Sequence, residues 1–443
     1  MFLSKEVWLT HLEWFFTFSL FPLLIFATPS RSFLLGLLLV PILIRAYLKK
    51  PVFPQTPLNM SLFGLLFMVL VSTWATYDLD QSMRKIALLT WGISLYWSLQ
   101  NGLRQGRQYK FWLILFICSL GIGAGTLSFF NPQITLRLPF GNSLLNFLSL
   151  ILGSELIAKI NPNEIGGILT WTIPLNLSLC LIVLSRERLP IRFRKNYIEH
   201  IYSILIILSL LFMTMALILT SSRTAIAGTL IAIVFMFWAL GSRGFRAGLA
   251  GLFVLFAVAL LADVFMFDSD LIASYITSII ERISGRPSDG ASGLGTLNGR
   301  IEIWSRALFG IQDFSLTGMG MNTFREVVHV LYPLFLISPD VDIAHAHNQF
   351  LQVALDLGLP GLVFYISLWL ISSLLLIRCW LLSKNDFLQK NLLVGLTGSM
   401  LASFVFGLAD TIALGAIPNF IFWMLVALIS STYLELADIK INH

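Results

Sequence analysis

Charged residues and cysteines are scarce in this sequence, and each scarcity excludes a class of protein. Asp, Glu, Lys and Arg make up 12% of the 443 residues, whereas a water-soluble domain carries about 25%. Hydrophobic residues make up 57% and are gathered in apolar runs of about twenty residues, the length that a helix needs to cross a bilayer. The three cysteines lie far apart inside such runs, so neither a disulfide framework nor a zinc site is expected. The composition therefore predicts an integral membrane protein of the all-α class.

The apolar runs predict a polytopic bundle of twelve membrane-spanning helices. The first two runs are short, and that pair could also be re-entrant. The predicted spans are roughly 12–28, 32–48, 58–76, 86–100, 111–130, 163–184, 200–220, 223–240, 245–267, 357–379, 391–410 and 414–434.

Basic residues are distributed unevenly between the two sides that these spans define. If both termini are cytoplasmic, the cytoplasmic segments carry most of the 29 Lys and Arg residues. Several of the remaining basic residues lie in one outer loop that is too long to influence orientation. The positive-inside rule then places both termini in the cytoplasm.

Residues 268–346 form an outer loop much longer than the other connections, and such loops are usually functional or disordered. The segment 284–299 is rich in Gly and Ser and predicts a flexible connector. The segment RIEIWSRALFGI then predicts a helix, and a glycine turn with an Asn322 cap precedes a second short helix. We expect these helices to cover the outer end of the bundle, together with an amphipathic helix at 144–157. The apolar face of the first helix consists of Ile301, Trp304, Leu308 and Ile311.

Arg223 is the one charged residue between His200 and the end of the eighth predicted span. The segment TSSRTA therefore predicts a very tight turn between two spans, with Arg223 at the outer mouth of the bundle. One interpretation is an arginine whose side chain extends from a helix end towards water. The other is an anion-binding arginine that faces a cavity, where Ser222 could add a hydrogen bond.

Arg300 begins the predicted helix of the long loop, where a positive charge opposes the helix dipole. Helix stability alone would favour an acidic residue there, so the arginine indicates an anion site at the helix N-terminus. The alternative is a solvated loop in which acidic residues such as Glu302 pair with the arginines. Because the loop carries more acidic than basic residues, nucleic acid is not an expected partner. Further arginines close in sequence could bind the same anion: Arg282 and Arg286.

His345 and His347 stand at the outer entrance of the tenth span, just before the apolar run resumes. Imidazole takes up a proton near neutral pH, which suits a general base. A metal site is not expected, because Asp340 and Asp342 are the only carboxylates close in sequence. A histidine that merely caps the helix is the remaining alternative.

Three further polar sites lie at predicted span ends on the outer side. Asn163 begins the sixth span, where it is either a helix cap or a site residue. Arg84 and Lys85 open the fourth span, and they either guide phosphates or mark the membrane interface. Asp410 ends the eleventh span, and an ionisable residue at membrane depth is a site candidate by default.

The outer residues of the tenth span resemble a known family. His347 and Asn348 are followed by nine residues and then by Gly358-Leu359-Pro360-Gly361. This matches the O-antigen ligase pattern of His, then Asn, Ser or Gln, nine residues, Gly, two residues, and Gly, Thr or Tyr. The segments SSRTAIAGTL, NGRIEIWSRAL and LTGMGMNTF are similar to further blocks of the O-antigen ligase and polymerase superfamily, in the same order. The ligase pattern of Arg, three residues and Leu is not reproduced at Arg300, because Trp304 occupies the fourth position after it.

The resemblance implies a GT-C-like membrane fold and a glycan transfer. The donor would be a glycan on undecaprenyl pyrophosphate, transferred with inversion and without a metal or another cofactor. The acceptor would be a glycolipid, a glycan or a protein, and membrane lipids would surround the helices. The protein would lie in the bacterial inner membrane with its site facing the periplasm. Residues 200–381 would form the ligase-like core, between N-terminal helices in 1–199 and C-terminal helices in 382–443.

Under this interpretation, Arg223 and Arg300 stabilise the departing pyrophosphate, and Arg282 or Arg286 is a third cation. His347 is the general base for the acceptor hydroxyl. Two other functions stay open: a repeat-unit polymerase of the same superfamily and a solute transporter of the bicarbonate type. Further candidates for substrate binding are Ser222, Asn163, His345, Asn348 and Arg84, and alternative bases are His345, Glu302, Asp340 and Asp342.

Overall fold

The computed structural model describes residues 5–47, 49, 51–104, 106–131, 135, 161–185, 196–241, 297–338, 340–383 and 386–441. Over these residues the chain is helical, with turns and irregular connections but no strand. The span at 245–267, the helix at 144–157, and Arg282 and Arg286 lie outside the described residues. The helices are α1 (Lys5–Leu24), α2 (Phe33–Gly36), α3 (Leu39–Tyr47), α4 (Asn59–Ala75), α5 (Leu79–Leu103), α6 (Arg107–Ser128), α7 (Pro162–Leu184), α8 (Asn196–Thr220), α9 (Arg223–Leu240), α10 (Leu297–Asp313), α11 (Phe324–Leu331), α12 (Gln349–Leu382), α13 (Phe387–Gly407) and α14 (Phe420–Ile441).

Seven helical segments of the described residues are long and apolar enough to cross a membrane. They lie in α6, α7, α8, α9, α12, α13 and α14, and the all-α membrane class is confirmed. The predicted count of twelve spans is not confirmed. The predicted second span is divided into α2 and α3.

The core of the bundle joins helices from all parts of the described chain. α13 packs against α7 and α9, α12 packs against α4 and α14, and α5 packs against α1 and α14. Small residues allow the closest of these contacts. A Cβ on Gly228 of α9 would lie 2.5 Å from the carbonyl oxygen of Ala402 in α13. The loop between α13 and α14 is therefore fixed in place by helices on both sides.

The two ends of this bundle differ in their chemistry. At one end, Arg107 and Lys110 in the first turn of α6 contact Glu435 of α14, at 2.9 and 2.5 Å. These basic residues share an end, as the predicted topology requires. The other end is called the site end below. At this end Ser222 packs against Gly166. Thr76, Lys85 and Ile412 also lie here, and each packs against a glycine of a neighbouring segment.

α10 and α11 cover part of the site end and form a second apolar cluster with the start of α12. The predicted helix after the connector is confirmed, but its predicted apolar face is wrong in part. Ile301 and Leu308 are 50% and 51% exposed, because α10 packs through Ile303 and Ala307 instead. The predicted Asn322 cap is also wrong, since its N–H donates to Asp356 and α11 begins after Thr323.

The first segment of α12 ends at Gly358, where the backbone leaves helical geometry with φ 70° and ψ 176°. The segment that precedes α11 supplies hydrogen bonds across this break. Met319 N–H donates to the carbonyl of Leu355 at 2.8 Å, and Leu359 N–H donates to that of Ser315 at 2.7 Å. Gly318 and Gly358 face each other at the contact, and neither has room for a Cβ. The first glycine of the sequence pattern is therefore explained by this crossing.

We expect Gly358→Ala to destabilise the protein. The positive φ alone costs about 1–3 kcal/mol for a residue with a side chain, and the new Cβ would lie 2.7 Å from the carbonyl oxygen of Leu316. Gly123→Ala in α6 is the matched control, because a Cβ there meets nothing within 4 Å. Thermal unfolding in detergent measures both changes, and equal Tm values for the two variants would contradict the prediction.

Candidate functional site

Asp410, in the loop between α13 and α14, is the meeting point of two predicted site residues. Its Oδ1 lies 3.3 Å from Nδ1 of His347, and its Oδ2 lies 3.7 Å from Nη2 of Arg300. The carboxylate is 2% exposed, whereas the imidazole of His347 is 17% exposed. The side chains of His347, Asp410 and Arg300 therefore form a row of neighbouring polar groups, called the row below. The imidazole of His347 remains partly accessible in it.

The backbone of the α13–α14 loop is fixed by Arg300 and by Asn348, the residue after His347. Arg300 donates a second contact, from Nη1, to the carbonyl of Ala409. Asn348 donates from Nδ2 to the carbonyl of Leu408 at 2.8 Å. Its Oδ1 accepts from the N–H groups of the residues that begin α12 and so caps this helix. The side chain of Asn348 is thus occupied by the protein, which favours a positioning role over contact with a ligand.

A buried polar network holds the histidine segment against the loop that precedes α11. Ala346 N–H donates to Oε1 of Gln352 at 2.8 Å, and Nε2 of Gln352 donates to Oδ1 of Asp356 at 2.9 Å. The same carboxylate oxygen accepts from the N–H of Asn322 at 3.1 Å. Because each member is buried or partly buried, these bonds fix the position of the segment.

The two histidines contact each other, with ring centroids 4.4 Å apart. His345 Nδ1 accepts a hydrogen bond from the backbone N–H of His347 at 3.2 Å. Burial, together with the neighbouring His347, lowers the pKa of His345 to about 3. His345 is therefore neutral at physiological pH.

Backbone strain is concentrated near these residues. The non-glycine residues with a positive φ in the described part of the chain are Lys49, Ser221, Asn322 and His347. The last three lie at the site end, and His347 has a φ of 47°. Such strained conformations cluster at functional sites, where the surrounding structure enforces them.

Asp410 remains ionised in this arrangement. Burial alone would raise the pKa of its carboxyl group, but the hydrogen bond from His347 and the electrostatic interaction with the two imidazoles lower it overall. An ionised carboxylate at Nδ1 favours the tautomer of His347 that carries its proton there. The second ring nitrogen, Nε2, then keeps a free lone pair.

A cavity of about 770 Å³ opens beside this row, within the range of ligand sites. His345 and Asp410 form part of its wall, together with the first turns of α5 and α7. The predicted substrate-binding residues Arg84 and Asn163 also line it. The cap of α7 is Asn161, whose side chain accepts from the N–H of Asn163 at 2.9 Å, so the side chain of Asn163 is not the cap.

Arg223 and Ser222 lie at the site end but are not part of the cavity wall. The predicted tight turn is confirmed, since α8 ends at Thr220 and α9 begins at Arg223. The side chain of Arg223 is exposed. Ser222 is buried beside Gly166 of α7. Of the two arginines predicted to act together, only Arg300 contacts the row that contains His347.

The alternative bases are engaged elsewhere or exposed. Glu302 accepts from the N–H groups of Phe335 and Leu336, at 2.5 and 2.9 Å, and is buried. Asp342 forms an ion pair with Arg325, and Asp340 is exposed. Among the four carboxylates considered, Asp410 is the one that contacts a predicted site histidine.

His345, His347 and Asp410 could together hold a metal ion by distance alone. Their ligand atoms lie within 4.8 Å of one another. However, Arg300 approaches the same carboxylate, and a fixed positive charge there opposes the binding of a cation. The arrangement of His345, His347 and Asp410 therefore fits proton transfer better than metal binding.

Sequence reasoning missed Gln352 and Asp356, which position the histidine segment. A signal was present for Asp356, because it is the only ionisable residue in the first four turns of an otherwise apolar helix. It also missed Arg325 and Glu326, which line the cavity from the loop side. Nothing in their local pattern distinguishes them from solvated residues.

Residues 208–366 match the family model described as O-antigen ligase. No curated protein matches the sequence. The matched segment contains Arg223, Arg300, His345 and His347, whereas Asp410 and much of the cavity wall lie outside it. The segment 208–366, less than half of the chain, thus matches the O-antigen ligase family, which supports the resemblance to the O-antigen ligase and polymerase superfamily.

Proposed function

We propose that the protein transfers a glycan from undecaprenyl pyrophosphate to an acceptor hydroxyl, with inversion and without a metal ion. The observation that carries the proposal is the row of His347, Asp410 and Arg300, of which Asp410 lines a cavity of about 770 Å³. A base and a cation are the two groups that this reaction needs, because the hydroxyl must lose a proton and the diphosphate must leave.

His347 is the base in this mechanism. Asp410 accepts from Nδ1–H and orients the ring, so that Nε2 can take the proton of the acceptor hydroxyl. The hydroxyl oxygen then attacks the anomeric carbon of the donor sugar from the face opposite the diphosphate. The bond between that carbon and the diphosphate oxygen breaks, and undecaprenyl pyrophosphate leaves with the electron pair.

Arg300 supplies positive charge close to the reacting groups. Two of its nitrogens face the α13–α14 loop, while its Nε is buried without a hydrogen-bond partner in the described structure. Guanidinium groups match the geometry of phosphate oxygens and are strong stabilisers in a dry site. Arg223 would act at the exposed rim, where the lipid diphosphate enters from the membrane interface. Arg282 and Arg286 remain candidates for the same role.

The proposed orientation places the site end at the periplasmic face of a bacterial inner membrane, with both termini in the cytoplasm. The basic residues Arg107 and Lys110 at the opposite end support it, because the positive-inside rule assigns such residues to the cytoplasm. The apolar tail of the donor would lie between helices and enter sideways from the bilayer.

The test of the function is the set of lipid-linked intermediates that accumulates in a deletion strain of the host. Long glycan chains on the lipid are the expected result for a lost ligase. Single repeat units would identify the polymerase of the same superfamily, which uses the same donor chemistry. An unchanged glycan profile, together with solute uptake by reconstituted vesicles, would overturn the proposal in favour of a transporter.

Removal of metal ions is expected to leave the transfer rate unchanged. Proton transfer to His347 and charge stabilisation by arginine both proceed without a metal. The rate is measured with the purified protein before and after treatment with a chelator. A loss that an added divalent cation restores would contradict this prediction and would assign the cluster of His345, His347 and Asp410 to a metal.

A further inference from the structure

We propose that Lys85 binds an anionic group of the substrate inside the cavity at the site end. Lys85 lies in the second turn of α5 and lines the cavity, well outside the segment that matches the family model. The proposal rests on the proposed function for the identity of the substrate. It adds a binding residue contributed by the N-terminal helices.

The backbone at Lys85 is fixed by the α13–α14 loop, which also carries Asp410. A Cβ on Gly415, whose φ is 76°, would lie 2.2 Å from the carbonyl oxygen of Lys85. The loop therefore crosses directly over α5 at this residue. The α13–α14 loop contacts Lys85 and also carries Asp410 of the row that contains His347. The fold therefore sets the distance between Lys85 and this row.

The ammonium group of Lys85 makes no hydrogen bond or ion pair with any described residue. The charge of Asp356 acts on it, but the two groups do not form an ion pair. Asp356 instead accepts from the N–H of Asn322 and from Gln352. A partly buried ammonium group with three free donors is costly unless a ligand completes its bonding.

Three of the other charged groups of the cavity wall are satisfied within the protein, while Asp80 and Arg84 are exposed. Arg325 is paired with Asp342. Glu326 accepts from the hydroxyl of Tyr77 at 2.9 Å and also from the amide of Gln81. Asp410 contacts His347 and Arg300. Lys85 is therefore the partly buried cation of the wall that is left for a ligand.

Glu164 restricts where that ligand can lie. Its side chain lines the same cavity from the first turn of α7, and it would repel an anion placed beside it. The anion must then lie towards α5 and away from α7. A phosphate or carboxylate in that position would contact Lys85 through charge-assisted hydrogen bonds, which are stronger than those between neutral groups.

Two substrate groups have this chemistry. One is the diphosphate of the lipid-linked donor, and the other is a carboxylate or phosphate carried by a sugar of the acceptor. The cavity would place either of them close to His345 and Asp410, since Lys85 acts electrostatically on His345. The kinetics of a Lys85 variant can separate the two.

The first test measures binding of inorganic pyrophosphate to the detergent-solubilised full chain by calorimetry. Lys85→Met keeps an unbranched side chain one atom shorter and removes its charge, and Lys85→Arg keeps the charge. The loss of one charged hydrogen-bonding group is expected to weaken binding about 10- to 100-fold in the Met variant, with much of it restored in the Arg variant. Arg378→Gln, at the opposite end of the bundle, is the control and should bind as the wild type does. Equal Tm values establish that the variants are folded.

The second test measures KM for donor and acceptor separately in the transfer assay. A rise in the donor KM of Lys85→Met assigns the anion to the diphosphate, and a rise in the acceptor KM assigns it to an acidic acceptor. Unchanged pyrophosphate binding together with two unchanged KM values would overturn the proposal. If the wild type binds pyrophosphate through Lys85 but transfers no glycan, the anion site stands and the proposed function fails.

Discussion

The His347→Asn variant is expected to transfer glycan about 10²- to 10⁴-fold more slowly than the wild type, with the protein still folded. Asparagine has no group that takes up a proton near neutral pH, so the acceptor hydroxyl would lose its base. It also tolerates the left-handed backbone that His347 adopts, with a φ of 47°. The substitution thus removes the chemistry while adding little strain.

The control for this variant is His200→Asn, an exposed histidine near the start of α8. Transfer is measured as product formed per amount of folded protein, at saturating donor and acceptor. A His347→Asn protein that keeps a tenth or more of the wild-type rate would place the base elsewhere. His345 is the first alternative, but as a neutral acceptor of the His347 N–H it is better suited to hold the segment in place.

The membrane class and the candidate histidine site could be proposed from the sequence because both depend on local features. Apolar runs of the right length identify spans without knowledge of their neighbours. The tight turn before Arg223 followed from a long uncharged segment that had to contain two helices. His347 was found because a basic residue at the entrance of an apolar helix has few structural reasons to be there.

The partner of His347 could not be predicted, because Asp410 lies 63 residues further along the chain. The contact depends on how α13 packs against α7 and α9, and no periodicity in the sequence encodes that packing. Arg300 illustrates the same limit. Its charge opposes the dipole of α10, which suggested a ligand, but the structure places it against Asp410 and Ala409.

The face of α10 was assigned incorrectly for a related physical reason. A helix with apolar residues on several sides does not reveal which side will be buried. Ile301 and Leu308 fitted the helical spacing, yet the contact with α12 is made by Ile303 and Ala307. The glycine pattern of α12 is visible in the sequence only as a family resemblance. Its physical cause is the crossing of Gly318 over Gly358, a tertiary contact that the local sequence does not reveal.

Asp410→Asn is the second variant for which a large effect is expected, a fall in the transfer rate of about 10²-fold or more. The amide keeps the size of the carboxylate but carries no charge. It can also donate to Nδ1 of His347, which would favour the tautomer that places the proton on Nε2 and blocks the base. Arg300 would lose its ionic partner at the same time. Asp438→Asn, an exposed carboxylate near the end of α14, is the control.

The pH dependence of the stability of the protein should also reveal the contact between Asp410 and His347. Burial opposes ionisation of Asp410, but His347 and its neighbours hold the pKa of Asp410 below the ordinary value. A carboxyl group with a lowered pKa stabilises the folded protein above its unfolded-state pKa, and this contribution is lost as the pH falls through the folded-state pKa. The Tm of Asp410→Asn should therefore lie below that of the wild type near neutral pH, and the difference should shrink in acid. A variant with wild-type activity and the same Tm at both pH values would show that the carboxylate neither orients His347 nor anchors Arg300.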